Sequence, residues 1–163
     1  MSAGAEIRSP ALCQINVDIK LFDEIDTIVI INDKQIILKG NGYIEDNING
    51  AKYVISPTSF FQVNTNGMIN LYNKVLEYAE LNGSENLLDL YCGTGTITLL
   101  VSKCVKKVIG IEINKEAIEC AEINKSNNHI TNAEFICGDV SKEINHLKAD
   151  IVIVDPPRSG LTE

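Results

Sequence analysis

The stretch Asn86-Leu-Leu-Asp-Leu-Tyr-Cys-Gly-Thr-Gly95 decides the fold. Its first half is a short, nearly continuous apolar run, the pattern of a strand buried on both faces. Gly93 and Gly95 then let the backbone turn tightly, and a helical pattern runs from Thr96 to about Cys104. The same strand-turn-helix order recurs downstream. Residues 107–112 predict a second strand, followed by a helix over 115–127. A third strand over 134–137 precedes a short helix near 141–146, and a fourth strand spans 150–155. This alternation predicts an α/β fold: a doubly wound parallel sheet of about four strands, joined by right-handed crossovers.

Upstream the pattern changes. Met68, Leu71, Tyr72, Val75, Leu76 and Ala79 fall at helical spacing, which predicts a helix over 65–81 stopped by Asn82-Gly83. Before it, two β-rich runs at 27–31 and 35–38 flank Asn32-Asp33-Lys34 and read as a hairpin. A second pair is expected at 42–45 and 52–55, joined across 47–50 and ended by Pro57. Met1 to Pro10 reads as a disordered start. The expected organisation is thus a small β-hairpin unit over residues 1–57 and an α/β domain over 58–163.

Composition limits the function. With 45% hydrophobic and 22% charged residues in 163, the chain is of ordinary globular type. No apolar run approaches the roughly 18 residues of a membrane span, and no leader pattern stands at the N-terminus, so a cytoplasmic location is expected. The net charge of −8 argues against strong nonspecific binding of nucleic acid. The cysteines Cys13, Cys92, Cys104, Cys120 and Cys137 are widely spaced, which argues against disulfides or zinc. Cys104, Cys120 and Cys137 are expected in the core, and none of the five is expected to be a nucleophile. No metal site is expected.

Three segments carry candidate chemistry. In the first, the Gly93–Gly95 turn follows a buried strand, and Glu112 ends the next strand about 20 residues on, where an acid can bind ribose hydroxyls. Both a dinucleotide and S-adenosylmethionine (SAM) fit that frame. Thr98 replaces the third glycine of the dinucleotide fingerprint, and Asp89 suits a cationic amino group better than a phosphate; both favour SAM over NAD. In the second, Asp155-Pro-Pro-Arg-Ser-Gly160 leaves the fourth strand at the carboxyl edge of the sheet, and Arg158 could pair a phosphate or a carboxylate. In the third, Ser56-Pro-Thr-Ser-Phe-Phe-Gln-Val-Asn64 is either a hinge packed by Phe60 and Phe61, with Asn64 capping the next helix, or part of a site.

In this order, S-F-F-Q-V-N, L-D-L-Y-C-G-T-G-T, G-I-E-I and D-P-P-R-S-G resemble the SAM-dependent RNA (uracil-5-)-methyltransferases, over residues from about Leu38 to Thr162. The form S-F-F-Q-V-N is more similar to the ribosomal-RNA branch than to the transfer-RNA branch. The resemblance implies a Rossmann-like methyltransferase sheet and SAM contacts from Gln62, Tyr91, Glu112 and Asp155. It implies that Gly93 and Thr96 shape the loop, that Asp139 lies near the adenine, and that Arg158 stands toward the substrate. In that family a cysteine adds to uracil C6 so that C5 accepts the methyl group, and a base then removes the C5 proton. That cysteine lies beyond the D-P-P-R segment.

The expectation is therefore the SAM-binding part of an enzyme forming 5-methyluridine in RNA, first of all 23S ribosomal RNA and less readily tRNA. This polypeptide is expected to bind RNA weakly, to lack methyl transfer alone, and to self-associate through an exposed fourth strand. The alternatives are a noncatalytic SAM-binding assembly module and an NAD-dependent oxidoreductase.

Overall fold

The computed structural model describes residues 6–7, 15–16, 27–31, 34–48, 50–59, 65–156 and 160. The chain divides into two compact units, Met1–Tyr43 and Ile44–Glu163. In the first unit, β1 (Glu6–Ile7) pairs antiparallel with β2 (Ile15–Asn16), so part of the expected disordered start is a strand. There β3 (Thr27–Ile31) and β4 (Lys34–Lys39) form the expected hairpin, with a register shift between Thr27 and Ile28.

The second unit begins earlier than the break near Pro57 suggests. Its first elements are the antiparallel strands β5 (Ile44–Ile48) and β6 (Ala51–Ile55). Both are longer than expected because the turn is tighter: the Asn47 side chain accepts the Gly50 N–H at 3.0 Å, and Gly50 takes a φ of 80°. The helix α1 (Thr65–Ala79) stops short of the expected Leu81 because Glu80 adopts a left-handed φ of 46°.

Four parallel strands follow: β7 (Asn86–Leu90), β8 (Lys107–Glu112), β9 (Ala133–Cys137) and β10 (Ile151–Val154). They lie in the order β10-β7-β8-β9, so among the described residues β10 and β9 form the two edges. The crossovers are α2 (Thr96–Val101), α3 (Lys115–Asn127) and α4 (Val140–Glu143). The expected helix over 96–104 tightens into a 3-10 turn from Ser102, whose hydroxyl bonds back to the Leu99 carbonyl at 2.7 Å. The expected helix over 141–146 is α4 followed by a 3-10 turn at Ile144–His146.

Alternation along β7 assigns the two faces of the sheet. Leu87 joins one core with Met68, Tyr72, Leu99 and Val108, together with Ile48 and Tyr53 of the hairpin. Leu88 and Leu90 join the opposite core, packed by Val140, Ile144 and Leu147. The hairpin β5–β6, which the sequence grouped with the N-terminal segment, thus contributes side chains to the α/β core. Of the three cysteines expected in the core, only Cys120 is fully enclosed. Cys104 is half-buried and Cys137 exposed, because Cys137 ends the edge strand β9.

Two asparagines hold the hairpin in place. Asn124 on α3 is fully buried; its carbonyl oxygen accepts the Val54 N–H at 2.6 Å. Its amide nitrogen donates to the Val54 carbonyl at 3.0 Å and to the Thr94 carbonyl at 3.1 Å. One turn later, the Asn128 side chain accepts from the Lys52 N–H at 3.1 Å and donates to the Lys52 carbonyl at 2.7 Å. One helical turn rises about 6 Å and two strand residues about 7 Å, so the side chains at i and i+4 match alternate backbone amides of β6. They act as a surrogate strand on the side of β6 that β5 leaves unpaired.

Removing the Asn124 side chain would strand the Val54 amide and carbonyl away from water. Asn124→Ala is expected to lower stability by about 2–4 kcal/mol, and Asn128→Ala by about 1 kcal/mol because its partners are solvent-exposed. Equal losses in urea unfolding would show that the two amides do not act as described.

Candidate active site

The loop between β7 and α2 is built under backbone strain. Tyr91 holds a φ of 65°, a conformation that costs a non-glycine residue of order 1–3 kcal/mol. It persists because the Tyr91 and Cys92 N–H groups both reach the Ile111 carbonyl of β8, at 2.9 and 3.1 Å. Gly95 has a φ of 79°, and a Cβ there would meet the Phe135 ring at 2.7 Å. Gly110 opposite is equally closed, by Cys92, Phe135 and Thr98. Phe135 of β9 therefore fills the space under the turn, and two glycines make room for it.

Three carboxylates surround this turn. Glu112 ends β8; its Oε2 accepts the Gly93 N–H at 3.2 Å and its Oε1 accepts the Asn114 N–H at 2.8 Å. This acid ties the first loop to the second, and its oxygens keep lone pairs for a ligand. Asp155 follows β10, is exposed, and donates its N–H to the Leu90 carbonyl at 3.4 Å. Asp89 lies on β7 beneath α2 and is fully buried. Thr98 donates its hydroxyl to Asp89 Oδ2 at 2.5 Å, and Oδ1 has no hydrogen-bond partner. Burial, with a lesser push from Asp155 and Glu112, raises the Asp89 carboxyl to about 7.

Asp139 stands apart from that group. It caps α4, accepting the Ser141 N–H at 3.0 Å and hydroxyl at 2.8 Å, and those bonds hold its carboxyl below the usual range. Thr96 is buried, and its hydroxyl lowers the Tyr72 phenol against the larger upward push of burial. Gln62, Arg158, Phe60, Phe61, Asn64 and Cys13 lie outside the described residues. The turn before them is anchored: the Ser56 and Thr58 hydroxyls donate to Glu116 in the first turn of α3. Burial drives the Cys92 thiol strongly upward, so it does not rest as a thiolate.

The structure brings Tyr91, Gly93 and Glu112 into one bonded group, with Asp155 tied to the end of the same strand. Thr98 is the residue that sequence reasoning missed as part of the site. The sequence shows it only as a missing glycine, yet its hydroxyl donates to Asp89 Oδ2. The signal was the threonine itself: a hydroxyl replaces the glycine nine residues after a buried acid.

A parallel sheet with acids and a strained glycine turn at its carboxyl edge defines a doubly wound α/β protein with a crevice for a nucleoside-bearing cofactor. Residues 14–163 match the family model "tRNA (Uracil-5-)-methyltransferase", and the chain belongs to that family. It is 48% identical over 139 residues to an uncharacterized RNA methyltransferase of Clostridium tetani, covering 82% of this chain and 30% of that protein. A Bacillus cereus relative described in the same words is 46% identical over 142 residues, covering 84% and 31%. The chain thus spans about a third of the length of the curated relatives it matches. Among solved structures, it superposes on a Pyrococcus abyssi tRNA (uracil-54, C5)-methyltransferase in complex with S-adenosyl-L-homocysteine. That match has a TM-score of 0.71 and 31% identity, over 91% of this chain and 39% of the other. Trm5b of the same organism shares the fold, with a TM-score of 0.64 and 22% identity over 82% and 41%.

The buried acid gives a pH signature. A carboxyl raised in the folded state keeps its proton while the unfolded chain loses it, so stability falls as pH rises from about 4 to about 7 and levels above. Asp89→Asn removes this dependence. The stability of Asp89→Asn relative to the parent chain is expected to rise across that window in denaturant titrations, and a difference independent of pH would refute the assignment.

Proposed function

We propose that this chain is the SAM-binding part of an RNA methyltransferase that forms 5-methyluridine. The observation that carries this reading is the bond from Glu112 to the Gly93 amide, which joins the two loops where a nucleoside cofactor lies in such sheets. SAM carries a sulfonium and an ammonium, and the residues present fit it. Glu112 and Asp155 bring negative charge to the loop, and Asp89, buried beneath it, leaves Oδ1 without a partner. The same acids repel a pyrophosphate, which counts against the NAD-dependent reading.

In this proposal Gln62, Tyr91, Glu112 and Asp155 hold SAM, Gly93 and Thr96 shape its loop, and Asp139 stands toward the adenine. Arg158 marks the substrate edge. SAM supplies an electrophilic methyl group; this chain's part is to bind and orient it. The RNA is proposed to be 23S ribosomal RNA before tRNA, from the S-F-F-Q-V-N form, although the family model and the solved relative both carry tRNA in their descriptions. The chain itself is proposed to bind RNA weakly, given its charge of −8. The proposed organisation is part of a β domain followed by part of the methyltransferase domain, with the hairpin β5–β6 belonging to the latter. A cytoplasmic site rests on the widely spaced cysteines; no helix among the described residues is long and apolar enough to cross a membrane.

Calorimetry is expected to show binding of SAM and of S-adenosyl-L-homocysteine but not of NAD. Glu112→Ala is expected to weaken both by about tenfold or more, the worth of a charge-assisted hydrogen bond. Binding of NAD alone would overturn the reading. No methyl transfer to uridine-containing RNA is expected from this polypeptide by itself, and observed transfer would sink that part of the proposal. Binding of SAM with no gain in transfer on adding the remainder of the enzyme would instead favour the noncatalytic module.

The edge position of β10 among the described residues, with Val152 and Val154 exposed at 45% and 42%, supports self-association between copies of this chain. Light scattering is expected to show a mass that rises with concentration; a constant monomer would count against it.

A further inference from the structure

A cavity begins beside the glycine loop, at Thr96 of α2, and extends to Lys103 and the C-terminal end of α3. It encloses about 360 Å³, within the range of roughly 300–1,000 Å³ typical of small-molecule sites. The hairpin, α1, α2 and the end of α3 wall it. Of the described residues assigned above to the cofactor loop, Thr96 alone lines it.

Its lining is graded along α2. At one end stand the Tyr72 phenol and the Thr96 hydroxyl. Burial holds the phenols of Tyr72 and Tyr53 up at about 12, so both stay neutral donors and acceptors. Leu99 supplies an apolar middle. Lys103, in the 3-10 turn that continues α2, stands about 10 Å or more beyond Thr96. Because α2 and α3 both run back from parallel strands, their C-terminal ends lie at the same end of the layer, so His129 stands on the Lys103 side. No Asp or Glu lines the cavity among the described residues, in a chain with 22 acids and 14 Lys and Arg. Lys103 has no ion pair among the described residues either.

The alternative is that Lys103 and His129 only complement helix dipoles, each worth roughly 0.3–1 kcal/mol. The backbone of α3 weighs against that for His129. Its last carbonyls are already closed by a Schellman pair, with Ile130 N–H on the Lys125 carbonyl and His129 N–H on the Ser126 carbonyl, both at 3.1 Å. His129 takes the left-handed position of that motif at a φ of 56°, where glycine is the unstrained residue. A histidine stands there at a conformational cost, and it lines the cavity.

We propose that this cavity binds a nucleoside monophosphate unit, with the ring edge toward Tyr72 and Thr96 and the phosphate between Lys103 and His129. The unit is either a free nucleotide or an unpaired nucleotide of an RNA strand. The proposal does not depend on the cofactor reading.

The test titrates uridine 5′-monophosphate into the chain by calorimetry and by NMR of the tyrosine rings, with S-adenosyl-L-homocysteine present throughout. Saturable binding that shifts the rings of Tyr53 and Tyr72 is expected. Lys103→Glu is expected to weaken it by about tenfold. His129→Gly is expected to weaken binding while raising the melting temperature, a pairing that a purely structural role does not produce. A uridine hexanucleotide that binds as tightly as the mononucleotide assigns the site to an RNA strand; binding of the mononucleotide alone assigns it to a free nucleotide. Absence of binding overturns the proposal. So does affinity unchanged in both variants, or inorganic phosphate binding as tightly as the nucleotide.

Discussion

The structure of the second unit depends on the amide of Asn124. Buried amides are costly unless every donor and acceptor is met, and here both ends of the side chain are used. One bonded pair fixes β6 against α3, and the third bond reaches the Thr94 carbonyl inside the glycine turn. The hairpin, the helix behind the sheet and the ligand loop are thereby set by a single planar group. Asn128 extends the pairing by one helical turn and keeps the hairpin from pivoting.

From that anchor the site follows. The loop after β7 is held below by Phe135 against Gly95 and Gly110, and above by Glu112 on the Gly93 amide. Tyr91 is strained because both neighbouring amides converge on the Ile111 carbonyl. Asp89 adds an electrostatic strain of a different kind, a buried acid with one oxygen bonded to Thr98 and one left without a partner. Conformational and electrostatic cost are concentrated at one turn, where a bound cation would relieve the second of them.

Acidity has two meanings in this chain. Around the glycine turn it is organised, with Glu112 bonded to the Gly93 amide, Asp155 tied to the end of β7 and Asp89 buried beneath. At the cavity along α2 it is absent, and a lysine and a histidine take its place. A net charge of −8 averages over both and describes neither.

The sequence by itself determined the order and type of the α/β elements, because near-continuous apolar runs and helical spacing are local signals. The strands at 107–112 and the helix at 115–127 fall where the pattern put them. It also marked Glu112 and the glycine turn, since strand ends and tight turns leave local traces. Only the tertiary structure decided which unit owns the hairpin, because an asparagine 70 residues from Val54 looks like any surface amide until the helix is placed. The same holds for Thr98, whose hydroxyl matters only because Asp89 on another element is buried beneath it. It holds too for Cys137, which an apolar strand suggested was core and which the sheet order leaves at an edge. Periodicity reports which face of an element is apolar; which elements meet, and which polar groups are stranded between them, is settled by long-range packing.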